Sequence, residues 1–269
     1  MFLAVDDDVG VFMKTRWILI GMFSISLLIP IRSSYAGAAH GYSTSSGALA
    51  TAGSSKLGLI RGEVHFDGPA LKPTRINMAA DPSCGAHSGA IFTDDFVMAP
   101  DGKLANVLVF ISDGLGSEQF TTPAEPVVMQ QKGCMYKPRV VALQTNQKLR
   151  IMNSDSTLHN IHPTPQNNRE WNKAQPGGSS IEDSFAREEI AIPVKCNVHP
   201  WMKSYISVFK HPYFSVTLKD GKFELPNLPP GQYTLEAWHE RLGTIKQKIS
   251  VSSGEVTTVD LTFKSAAAR

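Results

Sequence analysis

Three side-chain types capable of binding a soft metal stand close together in Cys196-Asn197-Val198-His199-Pro200-Trp201-Met202 and its upstream partner segment. The first segment sets a thiolate, an imidazole and a thioether at i, i+3 and i+6. About forty residues earlier, Leu158-His159-Asn160-Ile161-His162 offers further imidazole. Two imidazoles and one thiolate in a plane, with a weak axial thioether, make the donor set of a blue-copper electron-transfer site. Soft sulfur favours Cu(I), while imidazole suits both oxidation states. Taken singly, each residue has a plainer role: a buried Cys packs as a small hydrophobe, a Met beyond it is core, and a lone His is a hydrogen-bonded residue. Together they point to a metal. Zinc is the chemical rival, but structural zinc sites favour closed Cys/His tetrahedra and rarely recruit Met.

Such a site needs a rigid frame, and the surrounding pattern supplies strands. Ile192, Val194 and Cys196 share parity, as do Ile206 and Val208, so a strand is expected to fix Cys196 and a tight loop to fold His199 and Met202 back over the same point. Ile60, Val64 and Phe66 alternate up to the turn Asp67-Gly68-Pro69. Val107 to Ser112 is a continuous apolar run. Val140 to Leu143 leads through Thr145-Asn146-Gln147 into Leu149 and Ile151, which reads as a hairpin. Phe214 to Leu218, Asp220-Gly221 and Lys222 to Leu225 read as a tight hairpin with a type I′ turn. Tyr233, Leu235 and Ala237 alternate, as do Val259, Leu261 and Phe263. Residues 163–180 are rich in Pro, Asn and Gly and are expected to form a long functional loop. No stretch of the mature chain shows a helical period. The fold class expected is all-β, in sandwich form with Greek-key spacing.

The chain has 269 residues and a net charge of +2, from 26 basic and 24 acidic side chains. That balance argues against a nucleic-acid binder, which needs a clustered basic surface. Residues 17–31 are apolar, follow Lys14 and Arg16, and lead to Ser34-Tyr35-Ala36, the order of a secretory signal peptide. The alternative is an uncleaved N-terminal anchor, although the run is short for a membrane span and Pro30 interrupts it. Met13 is a better start for such a signal than Met1. A periplasmic or secreted protein with no membrane span in its mature chain is therefore expected. Export also changes how the three cysteines are read. Cys84 and Cys134 either pair or remain two buried thiols, and Cys196 is left over; a bound metal is a reason for it to stay unpaired.

The segment 104–210 resembles a cupredoxin of the amicyanin-like branch. The resemblance rests on the short Cys-x2-His-x2-Met loop with Pro200 and Trp201 inside it, and on His159-Asn160-Ile161-His162. It implies one copper ion held by His159, Cys196, His199 and Met202. It also implies that Asn160 restrains the Cys196 sulfur and ties the two loops together. His162, on the opposite strand face from His159, is then not a ligand. The mature chain is similar to exported methylamine-utilisation-like proteins that join a cupredoxin to a carboxypeptidase-regulatory-like (transthyretin-like) β-sandwich. Matching segments are Gly62 to Gly68, Gly133 to Pro138, His211 to Phe214, Asp220 to Phe223, Leu228 to Tyr233 and Trp238 to Glu240. Arg139 departs from the His often found there and receives no metal role. The organisation implied is a signal peptide (1–36), a flexible leader (37–56) and an N-terminal β extension packing on two sandwiches (57–103). The cupredoxin (104–210), the second small sandwich (211–264) and a tail (265–269) follow.

His211, Trp238, His239 and Glu240 could suggest a second site, but an aromatic cap with hydrogen bonds at a domain junction accounts for them. No catalytic arrangement is visible, and four protein ligands leave no open position for substrate, so the chain is not expected to be an enzyme. The function expected is one-electron transfer to an unidentified redox protein docking near His199. The ring edge of His199 is expected at the surface beside Pro200 and Trp201, in an apolar rim suited to brief encounters with little electrostatic steering. The alternatives are copper storage or delivery with the same ligands, and a binding or accessory sandwich in which the metal is structural.

Overall fold

The computed structural model describes residues 56–85 and 89–265. The expected signal peptide and nearly all of the expected leader lie outside them. The described residues form strands, with one helical turn at Pro82–Gly85 and no helix long and apolar enough to cross a membrane. The chain is all-β.

Strand β1 (Gly58–Asp67) lies between β13 (Lys222–Leu228) and the parallel pair β16 (Val256–Thr258) and β17 (Leu261–Lys264). A second sheet has the order β12 (Phe214–Val216), β2 (Leu108–Asp113), β14 (Gly231–His239) and β15 (Gly243–Val251). These two sheets share one core, built from Ile60, Val109, Ile111, Phe223, Leu235 and Phe263 among others. β14 shows the expected alternation, with Tyr233, Leu235 and Ala237 inward.

A five-stranded sheet runs β5 (Val140–Gln144), β11 (Lys203–Phe209), β10 (Glu189–Lys195), β7 (His159–Pro163) and β8 (Lys173–Gln175). A four-stranded sheet runs β4 (Tyr136–Lys137), β3 (Val127–Gln131), β6 (Leu149–Asn153) and β9 (Ser180–Asp183). Their shared core includes Met129, Leu143, Ile151, Ile161, Val194 and Ile206, together with Cys196 and Met202. A small cluster of Leu108, Phe110, Val140 and Phe209 joins the two halves. This explains the continuous apolar run that starts at Val107: Val109 and Ile111 face one core while Leu108 and Phe110 face the joint, so neither face of β2 meets water over Leu108 to Ile111, and only its end at Ser112 and Asp113 is exposed.

The structure departs from the expected pairings in several places. β5 and β6 are not a hairpin; they belong to opposite sheets. Gln147 shapes that crossing by accepting from the Gln144 N–H and donating to the Glu125 carbonyl. β12 and β13 also fall in different sheets. The turn between them has Gly221 but not Asp220 at positive φ, so it is not type I′, which needs two such residues. The loop expected over 163–180 contains β8, which hydrogen-bonds to β7. β1, expected in an extension, is internal to its sheet, and β2, expected with the 104–210 segment, pairs with β12 and β14. In each case strand alternation reports which face is buried but not which strand lies alongside.

Candidate metal centre

β10 and β11 are antiparallel neighbours, with Val194 opposite Ser204 and Lys195 opposite Lys203, so residues 196–202 are their connection. The loop closes on itself. The Cys196 N–H donates to the Met202 carbonyl at 3.3 Å, and the Met202 N–H donates to the His199 carbonyl at 2.9 Å. The His199 N–H points at the Cys196 Sγ at 3.4 Å. On the other side of β10, β7 pairs with Lys195 opposite His162. Continuing that register carries His159, the first residue of β7, alongside the loop.

His159, Cys196 and His199 converge there, with one ligand atom from each lying within 4.8 Å of the others. All three are buried, and Cys196 is the free cysteine among the described residues. The two Nδ1 atoms face each other at 2.8 Å, and the Cys196 Sγ is 4.0 Å from the Nδ1 of His199. Met202 is fully buried in the apolar cluster that contains Cys196.

Carboxylates hold the far side of both rings. The Nε2 of His159 lies 2.9 Å from Asp155 Oδ2, and the Nε2 of His199 lies 2.9 Å from Asp81 Oδ2. A carboxylate at Nε2 favours the tautomer with the proton on Nε2, which leaves a lone pair on Nδ1. Two such lone pairs at 2.8 Å repel each other unless a cation lies between them. The donor set therefore fits a soft or borderline metal held by Nδ1, Nδ1 and Sγ. Burial holds the His159 ring below the ordinary histidine range despite Asp155. The neutral imidazole that a metal requires is thereby favoured.

Burial alone would raise the Asp155 pKa, but the N–H groups of Cys134 and Gly133 and the His159 ring hold it below the usual carboxylate range. Gly133 and Cys134 both adopt left-handed backbone, which turns both N–H groups onto that carboxylate at 2.7 and 2.9 Å. Asp81 is likewise held low, by His199 first and then by the Thr157 hydroxyl.

Asn160 Oδ1 accepts from the Asn197 N–H at 2.6 Å and lies 3.3 Å from the Cys196 Sγ, so it joins the two loops. Tyr136 sits beneath them, its hydroxyl donating to the carbonyls of Asn160 and Lys195; burial, with the neighbouring Cys196, raises its pKa. Trp201 rests against His199, with ring centroids 5.1 Å apart, and its indole N–H donates to the Cys134 carbonyl at 3.0 Å. Pro200 is exposed. His162 turns away from the cluster, toward Asn197 and Glu170.

The expected exposure of His199 is corrected by the structure. The residue is 1% exposed, because the turn Asp81–Gly85 lies over its Nε2 edge. Cys84 in that turn is disulfide-bonded to Cys134, with Cα atoms 5.7 Å apart. Asp81 and Asp155, which anchor the rings, were not singled out in the sequence. Asp155 precedes His159 by four residues, a local hint, whereas Asp81 is 118 residues from His199 and gives no sequence signal.

The other suspected residues do not form a second centre. His211 is enclosed by Phe209, Phe120 and Tyr213, and His239 by Phe96 and Phe263. Burial lowers both histidines to about 4. Trp238 packs on Tyr205. Glu240 forms a two-pronged ion pair with Arg139, which also binds Asp94.

A family profile described as "Polysaccharide lyase family 4, domain II" matches residues 186–259, a minority of the chain. No curated protein matches. Among solved structures, a Cu-containing nitrite reductase from Thermus scotoductus is 18% identical with a TM-score of 0.31, over 36% of this chain and 26% of the reductase. A purple cupredoxin from Nitrosopumilus maritimus is 20% identical with a TM-score of 0.27, over 30% of this chain and 98% of that protein. A mutant of amicyanin in its Cu(I) form is 15% identical with a TM-score of 0.28, over 37% of this chain and 97% of amicyanin. The chain thus spans about a quarter of the reductase but nearly the whole length of the two smaller proteins.

Proposed function

We propose that this chain is an exported copper protein that carries single electrons. In this reading the sandwich around β10 and β11 is of cupredoxin type, and His159, Cys196, His199 and Met202 would hold the copper. The observation that carries the reading is the meeting of two Nδ1 atoms and one free thiol sulfur at a buried point, each ring fixed from behind by a carboxylate. Copper held there would supply a reversible one-electron change between Cu(I) and Cu(II).

The chain's own residues keep the geometry rigid. Asn160 restrains the sulfur, Tyr136 ties β7 to β10, and Asp155 and Asp81 set the ring tautomers. Since the His199 edge is covered, a partner would meet the half-buried Trp201 instead. The other sandwich braces this half through the Leu108–Phe209 cluster. The disulfide supports an oxidising compartment, in keeping with the signal-like N-terminus.

The test is a visible absorption spectrum after adding Cu(II), repeated on Cys196→Ser. An intense, saturable thiolate-to-copper band in the parent alone is expected. A colourless parent that holds zinc tightly would overturn the reading. Fast redox cycling without metal loss separates electron carriage from copper storage.

A further inference from the structure

We propose that Cys84 and Cys134, once reduced, form a second metal site, for Cu(I), on the Nε2 side of the same two histidines. Two groups of donors flank the disulfide: Asp81, Cys84 and His199 on one side, and Cys134, Asp155 and His159 on the other. Within each group the ligand atoms lie within 4.8 Å of one another. The Cys84 Sγ is 3.5 Å from the Nε2 of His199. Because the two sulfurs are bonded to each other, the groups meet as one ring of donors, distinct from the Nδ1 side where Cys196 stands.

In the disulfide these sulfurs are closed to metals, because the thiolate is the ligand. A dithiol reductant opens them by exchange. One of its thiolates attacks a sulfur of the disulfide, its second thiol closes the reductant's own disulfide, and Cys84 and Cys134 are left as two thiols. Cu(I) then replaces both thiol protons, which pass to solvent. The preference for Cu(I) follows from two soft sulfurs beside an imidazole nitrogen. For His199 to join, its ring proton moves from Nε2 to Nδ1. A neutral imidazole offers one lone pair, so His199 serves one side at a time. The disulfide would thus decide on which face of the ring copper is held.

The fold keeps both sulfurs in place when the bond is cut. The Cys84 N–H donates to the Asp81 carbonyl at 3.1 Å, and the Asp81 carboxylate is tied to Thr157 and His199. Cys134 is held at its N–H by Asp155 and at its carbonyl by Trp201. An open cleft of about 480 Å³, bordered by Met78, Ala79, Cys84 and Gly85, gives a reductant a route to this turn.

The test uses Cys196→Ser, which removes the thiolate of the Nδ1 side. The variant is reduced with dithiothreitol, desalted without air, and titrated with Cu(I) against a chromophoric Cu(I) chelator. Losing only an outer partner of a metal ligand costs about 10–100-fold in affinity, so losing both sulfurs should cost roughly a hundredfold or more. One Cu(I) per chain is expected in the reduced variant. Binding should be weaker by that factor in the unreduced variant and in Cys84→Ser/Cys134→Ser/Cys196→Ser treated with reductant. Equal binding in all three overturns the proposal. So does loss of the near-ultraviolet circular dichroism on reduction, since the site requires the folded chain. Failure here leaves the Cys196 site untouched, and a failed Cu(II) spectrum in the parent leaves this site untouched.

Discussion

Asp155→Ala removes a carboxylate that does two jobs, and the structure sets the size of both effects. Three donors converge on it: the Gly133 and Cys134 N–H groups and the His159 ring. Charge-assisted hydrogen bonds contribute about 1.5 kcal/mol each at the low end of their range, or roughly 4 to 5 kcal/mol together. Asp155 is 9% exposed, so water entering the space recovers part of this, and a net loss of about 3 kcal/mol is expected. The second effect concerns the tautomer. Without the carboxylate, His159 gains more by moving its proton to Nδ1 and donating to the facing His199 Nδ1. The lone pair needed for metal is then consumed. Copper affinity should fall by about 10–100-fold, the usual cost of losing an outer partner of a ligating histidine. Urea unfolding of the metal-free protein reads the first effect, and competitive copper titration reads the second. Copper bound by Asp155→Ala as tightly as by the parent would refute the tautomer argument, whatever the stability change.

Other perturbations separate the site from its scaffold. Arg139→Ala should destabilise by about 3–5 kcal/mol, because Glu240 is left buried without its partner, while replacing both by apolar residues should cost far less; denaturant midpoints of the two variants check this. Cys84→Ser/Cys134→Ser opens a closure spanning 50 residues and should cost about 4 kcal/mol on chain-entropy grounds, read by the same unfolding curves. His211 and His239 are lowered by burial to about 4, so between pH 6.5 and 4 the unfolded chain takes up protons that the folded chain refuses. Stability should therefore be flat above pH 6.5 and fall as pH drops through that window, by up to roughly 3 kcal/mol per histidine. Replacing both by Phe should flatten the slope in acid thermal scans.

The legible part of this protein was local. The β14 alternation and the β10–loop–β11 connection that carries Cys196, His199 and Met202 are both set by neighbours in the chain, so spacing alone exposed them. The approach of His159 depended on β7 lining up beside β10, and there the paired motifs were informative. What stayed hidden came from distant partners. The β5–β6 and β12–β13 segments look like hairpins because alternation and turn residues are the same whether a chain folds back within a sheet or crosses to the opposite one. The cover over His199 arises from Asp81 and Cys84, more than a hundred residues away, in a short turn with no periodic signal. Asp81 and Asp155 read as ordinary loop acids until the fold brings a ring nitrogen to each.

X-ray absorption at the copper edge of the loaded parent reads out which atoms surround the metal. One short copper–sulfur bond and two imidazole nitrogens are expected, with the sulfur contribution lost in Cys196→Ser. A copper shell of nitrogen and oxygen alone, unchanged by that substitution, would contradict that ligand set.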